Sequence, residues 1–203
     1  MEELVLDRRA TAFLEKQELQ GTSEDWARGY RQRACDEDSL PLNVIAFYHP
    51  GLKRVLFWVY IALLFGLASS VIAFNRTPAL FVAVLRRIGA VTSWHYFDDL
   101  GLLDLKGLAA RSQLCVRRVH SSAGFVLDYE KGLLPNARWI FLGVLYLFHS
   151  VFTSGFLVAD AKPGRRASIL ATINSILHQE ATSQEELDSL RGKHAFLAGT
   201  SFG

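Results

Sequence analysis

Residues 94–104 read WHYFDDLGLLD, and the interpretation of the whole chain starts from this stretch. Two adjacent carboxylates, Asp98 and Asp99, lie between apolar runs that favour β-strands. Because aspartate is common in turns, the pattern predicts a tight β-hairpin with residues 96–99 at its tip. Burial of two unpaired carboxylates costs free energy unless a cation neutralises their charge. Mg²⁺ prefers oxygen ligands of this kind. A solvated turn that contains two aspartates is the open alternative at this point.

Composition sets broad limits on the function. The chain has 203 residues, of which half are hydrophobic, with 22 basic and 20 acidic residues and a net charge of +2. This length allows one domain or one and a half with a sizeable core, and the charge neither requires nor excludes a nucleic-acid partner. Cys35 and Cys115 are isolated and lack metal-ligand spacing, which favours a reducing compartment. The first twenty residues are charged and mixed, unlike a signal peptide, so we expect an intracellular protein of the nucleus or cytoplasm.

Two apolar runs support a competing interpretation. Residues 55–74 contain no charged side chain, and residues 139–158 contain only His149 as an ionisable basic group. By length each run could span a bilayer, which makes a two-span membrane protein the first alternative. Pro50-Gly51 before the first run and a Gly/Ser break within it favour strands and a core helix instead. We therefore expect no membrane partner.

The remaining periodicities predict a mixed fold. The predicted elements are a helix at 1–20, a hairpin at 42–60 that turns at His49-Pro50-Gly51, a helix from Ser69 to Gly89, the acidic hairpin at 90–105, a helix at 106–121, strands at 124–134 and 138–146 with a turn at Pro135-Asn136, and helices at 162–179 and 183–200. Ser183 and Glu186 match a capping box at the start of the last helix. This order predicts an α+β fold, with an antiparallel sheet and helices packed on one face.

An acidic hairpin used for nucleotidyl transfer needs a third carboxylate from another strand. Two metal ions about 3.5–4 Å apart then clamp the attacking and leaving oxygens. Asp25 is the best candidate, and an aromatic residue, Tyr30, follows it by five positions.

With Asp25 included, the chain resembles the palm and the start of the thumb of a retroelement reverse transcriptase, an RNA-directed DNA polymerase. Motifs appear in the family's order from about Thr22 to the end of the chain. They are Asp25…Tyr30-Arg-Gln, the residues FGLASS at 65–70, Tyr96-Phe97-Asp98-Asp99, the pair Gly124-Phe125 followed by Glu130-Lys131, Phe141-Leu142-Gly143, and a thumb-like helix at 183–202. Any one of these motifs is weak, whereas the ordered set is specific.

The resemblance implies a role for each acidic residue and for one lysine. Asp25 and Asp98 would ligate both of two Mg²⁺ ions, with Mn²⁺ as a substitute. Asp99 would support the ions or ligate one of them. Lys131 would protonate the leaving pyrophosphate or neutralise its charge.

The resemblance also implies substrate-binding residues. Tyr30 would lie under the incoming sugar and exclude a 2′-hydroxyl by its bulk; the alternative is a packed core tyrosine. Gly66 would allow the backbone to approach a base pair, or it is an ordinary glycine at a helix entry. Phe141, Leu142 and Gly143 would shape a turn against the primer strand, or they form a core strand.

The implied organisation is a lead-in helix or remnant of the fingers at 1–21, a palm with an antiparallel sheet at 22–147, and a connection with a partial helical thumb at 148–203. Leu64 and Val71 stand where the family has proline. The family's fingers precede the first acidic motif, where this sequence has 24 residues, so the resemblance implies a fragment of a longer polyprotein or a decayed copy. The implied partners are an RNA or DNA template with its primer and deoxynucleoside triphosphates. A catalytically dead module that binds nucleic acid is the second alternative.

Overall fold

The computed structural model describes residues 17–179 and 182–202. Its elements are β1 (Leu19–Asp25), 3₁₀ turns at Gly29–Gln32 and Glu37–Leu42, β2 (Val44–His49), β3 (Arg54–Val59), α1 (Ala68–Arg87), β4 (Thr92–Tyr96), β5 (Asp99–Leu105), α2 (Ala109–Ser122), β6 (Leu133–Asn136), β7 (Arg138–Phe141), β8 (Val144–Leu147), α3 (Val151–Ser154), β9 (Val158–Ala161), α4 (Arg165–Leu177) and α5 (Gln184–Phe202). The predicted α+β class is confirmed, because antiparallel strand pairs alternate with helices along the chain. The predicted helix at 1–20 lies almost entirely outside the described residues.

The chain forms two compact units. We call residues 22–104 with 108–134 the acidic-hairpin unit, and the described residues 17–21, 105–107 and 135 onward the carboxy-terminal unit. The acidic-hairpin unit holds most of a four-stranded sheet in the order β4-β5-β1-β6, and a separate β2–β3 hairpin. The carboxy-terminal unit holds the sheet β7-β8-β9 and α3 to α5. The division at 21, 147 and 203 stays a prediction.

The acidic hairpin forms in the predicted place. β4 pairs with β5 from Thr92 opposite Leu103 to Tyr96 opposite Asp99, which leaves a two-residue turn at Phe97-Asp98. Phe97 has φ 52°, a left-handed conformation that costs an L-residue about 1–2 kcal/mol. The hairpin therefore holds its turn against a local backbone preference.

The β2–β3 hairpin also matches its prediction, with Val44 opposite Val59 and His49 opposite Arg54. Successive side chains of a strand point to opposite faces. Phe57 and Trp58 follow one another and are 72% and 61% exposed. Both faces of this hairpin therefore present large apolar side chains to solvent.

Three predictions for residues 124–146 are wrong. Residues 124–131 form a single β-bridge at Leu127 and turns, not a strand, while Pro135 and Asn136 end β6 instead of forming a turn. Residues 138–146 form two strands that reverse at Leu142-Gly143. Both residues of that turn have positive φ, 49° and 79°, as a tight hairpin between twisted strands requires. A leucine at this position gave no turn signal.

The core of the acidic-hairpin unit is built around Trp26. Its ring contacts Phe74 and Phe81 edge-on, with centroids 5.7 Å away in both cases. The ring of His120 also meets Trp26 edge-on, at 5.2 Å, and Phe125 lies at 4.8 Å. α1 supplies Phe74 and Phe81, α2 supplies His120, and Phe125 follows α2, so the helices pack against the end of β1.

The apolar runs behind the membrane alternative do not form spanning helices. Residues 55–74 contain β3, a loop and only the start of α1, and residues 139–158 contain strands. Within the described part of the chain, α1 alone meets a length and composition test for a membrane span, and 39% of the tested window is buried in the fold. Core helices pass the same test, and α1 carries Phe74, Phe81 and Leu85 in the core.

The predicted capping box is confirmed at the start of α5. The Glu186 amide donates to the Ser183 hydroxyl, and the Ser183 amide donates to the Glu186 carboxylate at 3.1 Å.

A buried ion pair ties β1 to α2, and the sequence patterns did not predict it. The side chain of Glu24 is fully buried, and its Oε1 accepts hydrogen bonds from Arg117 Nε and Gln113 Nε2, both at 2.7 Å. Its Oε2 has no partner among the described residues. Burial raises the pKa of Glu24, while Arg117 and then Gln113 act to lower it. The pair therefore sets the alignment of the helix on the strand at an electrostatic cost.

Replacing Arg117 with methionine should destabilise the fold in a pH-dependent manner. The change leaves the Glu24 charge buried and unpaired, so we expect a loss of about 3 kcal/mol near pH 7.5. Burial then raises the pKa of Glu24 further, and the folded state holds a proton that the unfolded chain releases. Stability thus falls as pH rises above the unfolded pKa, and the loss should be smaller near pH 5.

Urea unfolding at about pH 5 and pH 7.5 measures this difference. The double variant Glu24→Leu/Arg117→Met carries neither charge and should recover most of the stability at both values. Equal losses for Arg117→Met at the two pH values would show that the lost contact is packing alone.

Candidate active site

The end of β1 lies against the tip of the acidic hairpin. The amide of Trp26 donates a hydrogen bond to the carbonyl of Asp98 at 3.1 Å. Asp25, the last residue of β1, is thereby held beside the Asp98-Asp99 turn, with its side chain 14% exposed. The structure thus brings Asp25 together with Asp98 and Asp99, although Asp25 is far from that pair in the sequence.

The raised pKa of Asp99 reflects its burial and its proximity to the other two carboxylates. Burial raises the pKa of Asp99, and the negative charges of Asp98 and Asp25 raise it further, in that order. The positive charge of Lys131 acts in the opposite direction. The cluster therefore carries more negative charge than its surroundings neutralise.

Lys131 lies directly on Asp25. Its Nζ is 2.8 Å from Asp25 Oδ2 and 3.7 Å from Asp128 Oδ2. The backbone fixes this approach, because the Asp128 amide donates to the Asp25 carbonyl at 2.7 Å and the Lys131 amide donates to the Asp128 carbonyl. The hydrogen bond to Asp25 is the main cause that raises the pKa of Lys131. Lys131 is therefore an ammonium ion throughout the physiological pH range.

The donor chemistry at this tip suits a hard divalent cation. Carboxylate oxygens are its preferred ligands, and the mutual repulsion felt at Asp99 is what such a cation would relieve. Within residues 17–179 and 182–202, however, no three histidine, cysteine or acidic side chains are arranged as a metal-binding group. Asp25 is turned to Lys131, so a metal would compete with that ammonium.

A groove of about 590 Å³ opens beside Asp98. Tyr30 lies in it, with its ring stacked on Phe74 at a centroid distance of 4.6 Å and meeting Phe65 edge-on at 5.4 Å. Burial and then the Asp98 charge raise the pKa of Tyr30. Tyr30 is therefore both a packed residue and a wall of the groove, so its two predicted interpretations are compatible.

Arg28 and Arg31 also line this groove, which places two cations near Asp98. Arg28 has φ 55°. The sequence shows both as part of a basic cluster, but a cluster alone is more often solvated surface. Phe65 is a further groove residue whose contact with Tyr30 no local pattern predicts.

Gly66 has φ +98°, and a Cβ built on it would meet no atom within 4 Å. The left-handed backbone is sufficient reason for a glycine here. The open space leaves room for a ligand, and the approach of a base pair stays a prediction.

The predicted primer-strand residues lie in the carboxy-terminal unit. Phe141 is buried and stacks on Trp139 with centroids 4.8 Å apart, while Leu142 and Gly143 form the β7–β8 turn. A Cβ on Gly143 would come within 2.9 Å of an Arg165 nitrogen. Phe141 is thus a strand residue of a packed sheet, and the turn after it has the conformation that a protruding loop needs.

Comparison with solved structures gives the fold a name. One structure of the foamy viral protease-reverse transcriptase in complex with RNA/DNA hybrid matches with a TM-score of 0.64 at 18% identity over 87% of this chain and 21% of that chain. Two further foamy viral protease-reverse transcriptase structures, both in complex with dsDNA, match with a TM-score of 0.59. One is 16% identical over 95% of this chain, and the other is 17% identical over 97% of it.

The chain has a reverse-transcriptase-like fold. It spans 21% to 37% of the length of these structures. No family model matches the sequence, and no curated protein matches it. The reverse-transcriptase-like fold is thus recognised through structure, at an identity too low for sequence comparison.

The electrostatic arrangement predicts opposite shifts for two variants. Lys131→Met removes a cation that lowers the pKa of Asp99, so that pKa should rise. Asp98→Asn removes the largest of the charges that raise it, so that pKa should fall. Carboxyl carbon NMR titrations measure both. Lys106→Met is the control, since Lys106 pairs with Glu18, and an Asp99 titration that is identical in all variants would contradict the arrangement.

Proposed function

We propose that this chain carries the nucleotidyl-transfer site of an RNA-directed DNA polymerase from a retroelement. The substrates would be a primed RNA or DNA template and deoxynucleoside triphosphates. The observation that supports this most directly is the hydrogen bond between the Trp26 amide and the Asp98 carbonyl, which holds Asp25 beside Asp98 and Asp99. A solvated turn has no need for a third carboxylate from another strand.

Asp25, Asp98 and Asp99 are the residues that would hold two Mg²⁺ ions, which would activate the attacking primer hydroxyl and stabilise the leaving oxygen. Lys131 contacts the acidic cluster directly, with its Nζ 2.8 Å from Asp25 Oδ2. A proton donor works best with a pKa near the working pH, and the pKa of Lys131 is raised instead. We therefore assign Lys131 to charge neutralisation of the pyrophosphate instead of proton transfer.

The groove beside Asp98 is the proposed site of the incoming nucleotide. Its volume of about 590 Å³ is within the usual range for a small-molecule site. Arg28 and Arg31 supply positive charge for a triphosphate, and Tyr30 supplies a rigid wall against the sugar. Gly66 lies near open space that a base pair could enter.

The nucleic-acid partner is proposed from the fold neighbours, which hold an RNA/DNA hybrid or a DNA duplex. Phe141, Leu142 and Gly143 would contact the primer strand through the β7–β8 turn. The chain spans 21% of the RNA/DNA-hybrid neighbour's length, and the remainder of a polyprotein is a further proposed partner.

A catalytically dead module that binds nucleic acid is the second candidate. The contact of Lys131 with Asp25 at 2.8 Å favours it, because the ammonium already occupies a carboxylate that the reaction needs.

Primer extension separates the two candidates. The enzyme should extend a labelled primer on RNA and DNA templates with Mg²⁺, and Asp98→Asn should reduce the rate about a hundred- to a thousandfold, as expected for removal of a principal electrostatic stabiliser. Asp160→Asn is the matched control, since Asp160 pairs with Arg166 on a surface of the carboxy-terminal unit. Tight primer–template binding without extension would establish the module, and an absence of both would refute each candidate.

Tyr30→Ala should relax the discrimination against ribonucleotides. Loss of the ring removes the wall against a 2′-hydroxyl, so incorporation of ribonucleotide relative to deoxyribonucleotide should increase at least about tenfold. Tyr60→Ala is the control, because Tyr60 lines the same groove. Competition between the two nucleotide types within one reaction cancels any loss of stability, and equal ratios in both variants would contradict the assignment.

A further inference from the structure

A second groove lies between α1 and α2, and no proposed catalytic residue lines it. Its volume is about 730 Å³, larger than that of the groove beside Asp98. α1 contributes Arg76, Leu80 and Phe81, and α2 contributes Arg118. Arg33 and Phe125 complete the groove from the two flanking loops.

The charges around this groove are all of one sign. Arg33, Arg76 and Arg118 line it together. In the part of the chain that the structure describes, none of the three lies within ion-pair distance of a carboxylate, whereas Arg117 one position earlier is paired with Glu24. Guanidinium groups without a carboxylate partner attract oxyanions, so the groove is suited to an oxyanion.

The floor of the groove is apolar. Phe81 is buried, Phe125 is half-buried, and Leu80 is 62% exposed. A bare phosphate or the sugar-phosphate backbone of a nucleic acid would satisfy the arginines but would leave Leu80 uncovered. A ligand with an apolar body covers that surface and gains hydrophobic free energy as well. The volume is typical of a small-molecule site.

We propose that this groove binds a small amphipathic anion, with a carboxylate or phosphate head on an aromatic or branched apolar body. The head lies among the three guanidinium groups, which match the planar fork of a carboxylate. The body lies on Leu80, Phe81 and Phe125. The site is distinct from the groove beside Asp98, because the two grooves share no lining residue.

The test uses 2-naphthoate as the probe, with 2-naphthalenemethanol as its neutral counterpart, on the full chain without nucleic acid. Calorimetry should give a dissociation constant at least about tenfold lower for the acid than for the alcohol. The methyl NMR signals of Val84 and Val119, which line the groove, should shift on binding. The double variant Arg76→Gln/Arg118→Gln should weaken binding of the acid at least about tenfold and leave the alcohol unchanged.

Two control variants make the result decisive. Arg111→Gln removes an exposed arginine of α2 outside the groove and should leave the affinity unchanged. Leu80→Ser alters an exposed side chain, so the chain should still fold, and it should weaken both probes. Equal affinities for acid and alcohol, or shifts confined to the β2–β3 hairpin, would overturn the proposal. Displacement of naphthoate by a single-stranded oligonucleotide would assign the groove to nucleic acid instead.

Discussion

One residue joins the site to the core of its unit. The amide of Trp26 holds the tip of the acidic hairpin, and its ring is the centre around which Phe74, Phe81 and His120 pack. Asp25 precedes it in the chain, so the same anchor fixes the position of the first carboxylate. The geometry of the acidic cluster therefore depends on the packing of α1 and α2, although neither helix contributes a carboxylate to it.

The three carboxylates of the acidic cluster repel one another. Burial and then the charges of Asp98 and Asp25 raise the pKa of Asp99, and the exposed side chain of Lys131 provides partial compensation. A buried cation would be fixed in place, whereas an exposed one can be exchanged for another positive charge. The opposite solution is found at Glu24, where Arg117 and Gln113 bind the same carboxylate oxygen and α2 holds both in place. The neighbouring carboxylates of β1 are thus neutralised differently, Glu24 by a buried partner and Asp25 by an exposed one.

Local patterns predicted the acidic hairpin, the β2–β3 hairpin, α1 and the capped start of α5, because turn residues, alternation and helical periodicity are encoded within short segments. The juxtaposition of Asp25 with Asp98 came from the ordered motifs, since no local signal connects residues so far apart. Pro135-Asn136 misled the prediction, because β6 is an edge strand of its sheet, where a missing amide is tolerated. Glu24 was overlooked because a charged residue in a strand is expected to face water, and its partners lie on a helix that follows some ninety residues later.

The β2–β3 hairpin has a practical consequence for any work with this chain. A two-stranded sheet on its own is marginally stable, and this one exposes aromatic side chains such as Phe57 and Trp58 on both of its faces. Two copies could stack these faces or pair their strand edges. The other apolar face of each hairpin would still be exposed and could bind a third copy. Self-association of this kind does not close on itself, so it grows with protein concentration and ends in precipitates instead of defined oligomers. Dilute solutions, or a polar residue placed on one face, are the conditions under which the single chain can be studied.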